Sequence, residues 1–303
     1  MKKYVFLLLF TFNGYVQAQN ADYLPYHLYR AKAERNIYTS AFDSALANYR
    51  NAFHCVPEAF AKDVYNAALC AALVKDTSSL FPFMETALKK GVPWTRFDTN
   101  RFFSGYSGLT AWKHIREQLP YYDSLYQSRI NRTYRKTLDS LNLLDQQARK
   151  HLFFVYNFPK SKPAEKNRAH IAETDCGIRQ TLLHSIAQYG YPSERNVGIN
   201  PQSLMYFTDI CVWHQTDSLF LQIEEEAFRN GKMDVERYVA KKGYTGECFN
   251  YVYRCGADTE ETDKNRAAIG FPTSADFKRM KNFYTQTHNQ YGFVLFYAAP
   301  KNF

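Results

Sequence analysis

The sequence predicts a mainly α-helical protein, and three observations predict it. Apolar residues recur at three- and four-residue steps, the spacing of one helix face. Pro57, Gly91, Pro93, Gly190 and Pro192 close such stretches, as helix stops do. A helix-turn-helix unit also recurs, with Ala52 and Ala87 standing 35 residues apart and Pro57 and Pro93 standing 36 apart. Only YGFVLFY, residues 291 to 297, reads as either a strand or an apolar docking segment, so minor β structure is left open at the C-terminus.

The chain of 303 residues opens on MKKYVFLLLFTFNGYVQAQN. Lys2 and Lys3 precede an apolar run from Tyr4 to Phe12, and small residues end at Ala18, the order of a secretory signal peptide. Such a run rises only about 14 Å as a helix, whereas a bilayer core needs about 30 Å. Cleavage after Ala18 and an exported, periplasmic or secreted protein without a transmembrane anchor are therefore expected. Gln19 would follow the cut, with no cysteine there to carry a lipid.

What remains is enough for two modest domains. The formal charge is +9, but no run of five or six like charges appears, so nucleic acid is not the expected partner. Six cysteines in an oxidising compartment make disulfides candidates, with Cys55 and Cys70, and Cys248 and Cys255, the pairs nearest in sequence. No CxxC occurs, so neither a redox dithiol nor a zinc ribbon is expected. Aromatic residues make up 17% of the chain, which fits aromatic-rich helical cores or sugar-stacking surfaces.

Residues 19 to 118 carry the recurring unit. A first helix falls on YLPYHLYRAKAERNIY. In SAFDSALANYRNAFHCVP, Ala45, Tyr49, Ala52 and Phe53 share one stripe and Pro57 ends it. In VYNAALCAALVKDTSSLFPFMETALKKGVP, Ala67, Ala68, Ala71 and Ala72 suit a close helix approach, and Leu80, Phe83, Ala87 and Leu88 follow before Gly91 and Pro93. This small-aromatic pattern, with its echo at Asn66, Ala67, Ala71, Ala87 and Pro93, resembles the tetratricopeptide repeat family over about residues 24 to 118. The period is slightly long, and the family's Trp-Leu-Gly opening is missing. The resemblance implies an all-helical scaffold that binds peptides or partner proteins in a groove, with Tyr49 a candidate ligand-binding residue.

Residues 119 to 303 read as a helical C-terminal domain. From Pro120 to His151, Leu125, Ile130, Tyr134, Leu138, Leu141 and Leu144 keep the rhythm of one long amphipathic joining helix. KSKPAEKNR, residues 160 to 168, reads as a solvated loop, and a helix then runs from Asp175 to Gly190. The turn YPSERNVGINP leads to a helix from about Gln202 to Asn230, and MDVERYVAKKGY reads as a short helix. Asp145, Gln146, Arg149, Asp175, the YGYP turn at 189 to 192, Val197-Gly198 and His214 are together similar to an uncharacterised family of exported bacterial proteins. Where that family carries a late Asp-Arg pair and a Tyr-Gly-Thr-Gln ending, this chain has Lys241-Lys242 and Tyr291-Gly292-Phe293-Val294. The resemblance implies architecture and candidate positions, not a reaction.

Asp145, Arg149 and His214 are the candidate catalytic residues, and Gln146 and Asp175 candidate ligand-binding ones. Asp145 and Arg149 stand four apart, either a surface pair or an inward fork of donors able to hold a carboxylate or phosphate. His214, in DICVWHQTD, falls on the apolar stripe of its helix with Cys211, where a satisfied core histidine is the plain reading. A Cys211–His214 dyad has poor in-line geometry from neighbours three apart. No HExxH, GxSxG, GxGxxG or P-loop appears, so no metal, cofactor or nucleotide is called for. The expected function is an exported cell-envelope binding or scaffold protein engaging a peptide or protein partner through the repeat groove. Alternatives are an envelope hydrolase centred on His214 and an aromatic-rich glycan-binding protein.

Overall fold

A computed structural model describes residues 22–199, 218–244, 260–287 and 290–294. The chain is all-α, with fifteen α-helices and no strand among the described residues. The signal segment, Cys211, His214, Cys248 and Cys255 lie outside those residues. No described helix is long and apolar enough to cross a membrane.

Helices α1 (Leu24–Tyr38) and α2 (Phe42–His54) pack as one hairpin, and α3 (Ala61–Leu73) and α4 (Thr77–Lys89) as a second, with α2 against α3. Both hairpins close through the same turn. Ser40 and Lys75, 35 residues apart, take φ of +57° and +61°. On either side, Ala41 N–H donates to Asn36 C=O and Asp76 N–H to Ala71 C=O at 2.8 and 2.9 Å, which occupies carbonyls the helix end leaves open. The alanines of α3 have almost no exposed surface, so its backbone approaches its neighbours closely. Asp76 caps α4, its Oδ1 accepting from Ser79 N–H at 3.1 Å.

Two single-turn helices, α5 (Thr95–Asp98) and α6 (Arg101–Ser104), then α7 (Thr110–Glu117), continue into α8 (Leu119–Arg129), which packs on α4. The joining helix expected from Pro120 to His151 is instead two. Ile130 is extended, with ψ near 123°, and Asn131 accepts from Tyr134 N–H at 2.9 Å, starting α9 (Arg132–Ala148) afresh. A local side-chain cap thus overrides an apolar rhythm that runs unbroken across the break. A 3₁₀ turn and α10 (Leu152–Asn157) lead to α11 (Lys162–Tyr189). KSKPAEKNR begins this helix rather than forming a loop: Ser161 Oγ accepts from Ala164 N–H at 3.3 Å, and Pro163 sits in the first turn, where its missing N–H costs nothing.

The remaining helices are α12 (Ser218–Arg229), α13 (Val235–Tyr244), α14 (Glu260–Ala268) and α15 (Ser274–Thr287). They return to the start of the chain. Met280 and Phe283 of α15, and Phe293 beyond it, are buried in one core with α1 to α4. Tyr23 N–H donates to Arg229 C=O at 2.8 Å, and Gly231, at φ +63°, lies so near the Tyr23 ring that an added Cβ would stand 2.2 Å from it. A second core joins α9, α11, α12 and α13 around Tyr134, Leu182, Phe220, Phe228 and Val239.

Candidate functional site

Arg149 follows the end of α9 and turns inward, where its guanidinium meets the carboxylates of Asp145 and, at 2.9 Å, Asp175 of α11. The fork of donors therefore already holds two carboxylates, both from this chain, and the trio ties α9 to α11. Gln146 points away into solvent, and His184 is exposed. Tyr49 has no exposed surface; its ring packs on Phe53 at 5.9 Å, so it serves the hairpin core rather than a groove wall. Cys55 and Cys70 are separate thiols. Cys70 is sealed within α3, and burial pushes it well up, while Cys55 donates to Asn51 C=O at the end of α2.

Two features that those candidates do not include bring functional groups together. The first lies along α3. Asn66 is buried, and its side-chain amide meets one residue twice: Nδ2 donates to Val294 C=O and Oδ1 accepts from Val294 N–H, both at 2.9 Å. Tyr65 donates to Gly292 C=O at 3.3 Å, and Asn100 donates to Tyr291 C=O at 2.8 Å. The Tyr291 ring stacks on Phe102 at 5.0 Å, and Phe293 is buried beside Phe42 at 5.9 Å. Residues 291–294 thus lie on α2, α3 and the start of α6 as an apolar docking segment, with main-chain hydrogen bonds at three residues and the Tyr291 and Phe293 rings packed among Phe42, Phe102 and Phe283. Among the described residues it forms no strand. Gly292 takes φ +77°, where an added Cβ would stand 2.8 Å from Asn100.

The second is a cavity of about 720 Å³ beside that segment, open to solvent on one side. Phe60, Val92, Pro93 and Ile199 give apolar wall, and Lys62, Arg96, Arg135, Glu194, Asp234 and Arg237 give charge. The Tyr126 wall is fixed by two glycines. A Cβ on Gly91 would stand 2.5 Å from its ring and one on Gly198 2.4 Å from its hydroxyl, which accepts from Ile199 N–H at 3.1 Å. Glu194 accepts from Ala61 N–H at 2.9 Å, covering the first turn of α3. Burial pushes the Glu194 carboxyl up to about 7, against the pull of Lys90 and of that N–H.

Behind the cavity, Lys62 and Arg30 both pair with Glu236, and Arg30 also meets Glu34 at 3.3 Å and Gly270 C=O at 3.0 Å. Tyr26 donates to Asp63. Burial drives Glu34 up to about 7, with Arg30 and Lys62 opposing. His27 is stacked on Phe228 at 4.7 Å and 7°, sealed from water and held far below its usual pKa by burial and by Arg30. It is a core group, not a reacting one.

Compared with known proteins, the chain matches no family model, and neither a curated protein nor a solved structure matches it significantly. Among the described residues no group of three or more His, Cys, Asp or Glu is placed to hold a metal ion. Sequence reasoning missed Asn100, Arg96, Arg135, Glu194 and Arg237 as site residues. Asn66 entered it only within an alanine-rich stripe, although an amide among close-packed alanines was a signal: a buried amide needs partners.

Proposed function

We propose that this protein is an exported cell-envelope binding or scaffold protein that holds a peptide segment of a partner against its N-terminal hairpins. One observation carries the reading. Asn66 engages the N–H and the C=O of a single residue in a segment outside any helix, a contact that a peptide backbone can supply. Here the chain's own residues 291–294 make that contact, and a partner segment of like pattern would compete for it. The similarity to tetratricopeptide repeats agrees with peptide binding on such helices, and the first twenty residues are the ground for export.

The test uses the full chain and a labelled peptide built around Tyr-Gly-Phe-Val. Phe293→Ala loosens the resident segment and should strengthen peptide binding. Asn66→Ala in that background should weaken it about tenfold or more, the size of two hydrogen bonds near 1 kcal/mol each. A peptide that binds neither protein, or binds equally with and without Asn66, counts against the reading, provided circular dichroism shows both variants folded.

A further inference from the structure

We infer that the cavity between the first turn of α3 and Arg135 of α9 binds a small organic anion, an oxyanion head group on an apolar body. Tyr65 and Val294 of the docking contact also line this cavity, but the argument rests on Arg135 and Arg96, which make no contact with Asn66, so either reading can fail alone. The argument begins with charge. Of the four cations at this cavity, Lys62 is paired with Glu236 and Arg237 with Asp234, the latter at 3.3 Å. Arg135 and Arg96 have no carboxylate within ion-pair reach among the described residues, and neither side chain makes a hydrogen bond there. The remaining carboxyl, Glu194, is engaged with the Ala61 N–H. The cavity therefore carries an excess of cationic groups.

Arg135 is the less ordinary of the two. It is half-buried, and it lies in the first turn of α9, which holds no acidic residue and also contains Arg132. A cation in that turn opposes the positive end of the helix dipole, so its placement raises the free energy of the empty protein. Lys62, in the first turn of α3, is by contrast compensated there by Asp63, by Glu194 on the Ala61 N–H and by its partner Glu236. An anion in the cavity would relieve the charge at Arg135. A guanidinium presents parallel N–H groups that match two oxygens of a phosphate or carboxylate.

The walls call for more than an inorganic ion. Phe60 and Val92 are buried, Ile199 is partly buried, and the Tyr126 ring and hydroxyl pack closely on Gly91 and Gly198. A volume of about 720 Å³ falls in the range of small-molecule sites, which run from about 300 to 1,000 Å³. Apolar walls with a few convergent cations favour an amphipathic anion over free phosphate.

The experiment titrates the full chain, by calorimetry, with phenyl phosphate, phenylacetate, inorganic phosphate and benzyl alcohol. Saturable binding of one or both aromatic anions is expected, tighter than that of inorganic phosphate or benzyl alcohol. The ranking of the two then tells a phosphate from a carboxylate head group. Arg135→Met, which keeps the stem and removes the charge, should weaken it about tenfold or more, and Arg135→Lys should regain part of the loss. Arg96→Met, at an exposed position, should weaken it less while leaving the fold intact, and Lys113→Met on α7 should change nothing. No saturable binding of either aromatic anion up to about 10 mM overturns the site. So does binding that Arg135→Met and Arg96→Met leave unchanged, and so does inorganic phosphate binding as tightly as the aromatic anions.

Discussion

Arg149 shows how one side chain settles what a spacing left open. With Asp145 and Asp175 both on its guanidinium and little of the trio exposed, removing the cation leaves two carboxylates facing each other out of water. Arg149→Met should lower stability by about 3 kcal/mol, the size of breaking a partly buried ion cluster; urea unfolding checks it, and wild-type stability would place the trio in solvent. Glu194 makes a pH prediction. Its folded pKa is about 7, above the ordinary carboxyl value, so between about pH 4.5 and 7 the folded state binds more protons than the unfolded one. Its contribution is fully present below that window and is lost as pH rises through it. Glu34 acts in the same direction, whereas Glu58 acts in the opposite one: burial would push it up, but Lys90 and Arg129 outweigh that and hold it low. Glu194→Gln keeps an acceptor for Ala61 N–H and takes up no proton. The difference in stability between wild type and this variant should therefore shift against the wild type from pH 5 to pH 7, by about 2 kcal/mol. A flat difference would refute the assignment.

Helices and turns were legible where a local signal and the apolar pattern agreed. α1 to α4 fall where the stripes predict them, and Gly190 ends α11 as expected. The departures are places where two signals compete. Asn131 cuts a continuous stripe because its carboxamide caps α9, and Ser161 with Pro163 starts α11 inside a charged stretch that reads as loop. Gly91 belongs to this scale too. It closes α4 at φ +91°, with the Tyr126 ring where a Cβ would be, whereas nothing lies within 4 Å of a Cβ on Gly105. Gly91→Ala should cost more than about 1 kcal/mol, through both strain and displacement of Tyr126. Gly105→Ala should be close to neutral. Thermal unfolding of the two variants compares them, and equal effects would mean that the Tyr126 wall yields.

Across the whole molecule, the end of the chain completes the core begun by the start. Arg30 of α1 reaches Glu236 of α13 and the Gly270 carbonyl, and Met280, Phe283 and Phe293 lie among α1 to α4. Shared burial of this kind couples the two parts, so unfolding followed by tryptophan fluorescence and by circular dichroism should give one coincident transition. Two separated transitions would show that the parts unfold independently. The sequence by itself determined the helical class, the hairpins of α1 to α4 and the short helix at α13, because periodicity, stops and turn residues act over a few neighbours. Only the tertiary structure decided that Asn66 meets Val294, that Tyr49 is core, and that Lys62, Arg96, Arg135, Glu194 and Arg237 surround one cavity. Those partners are separated by up to 228 residues, and no local spacing records which distant backbone a buried amide will meet or which cations will share a space.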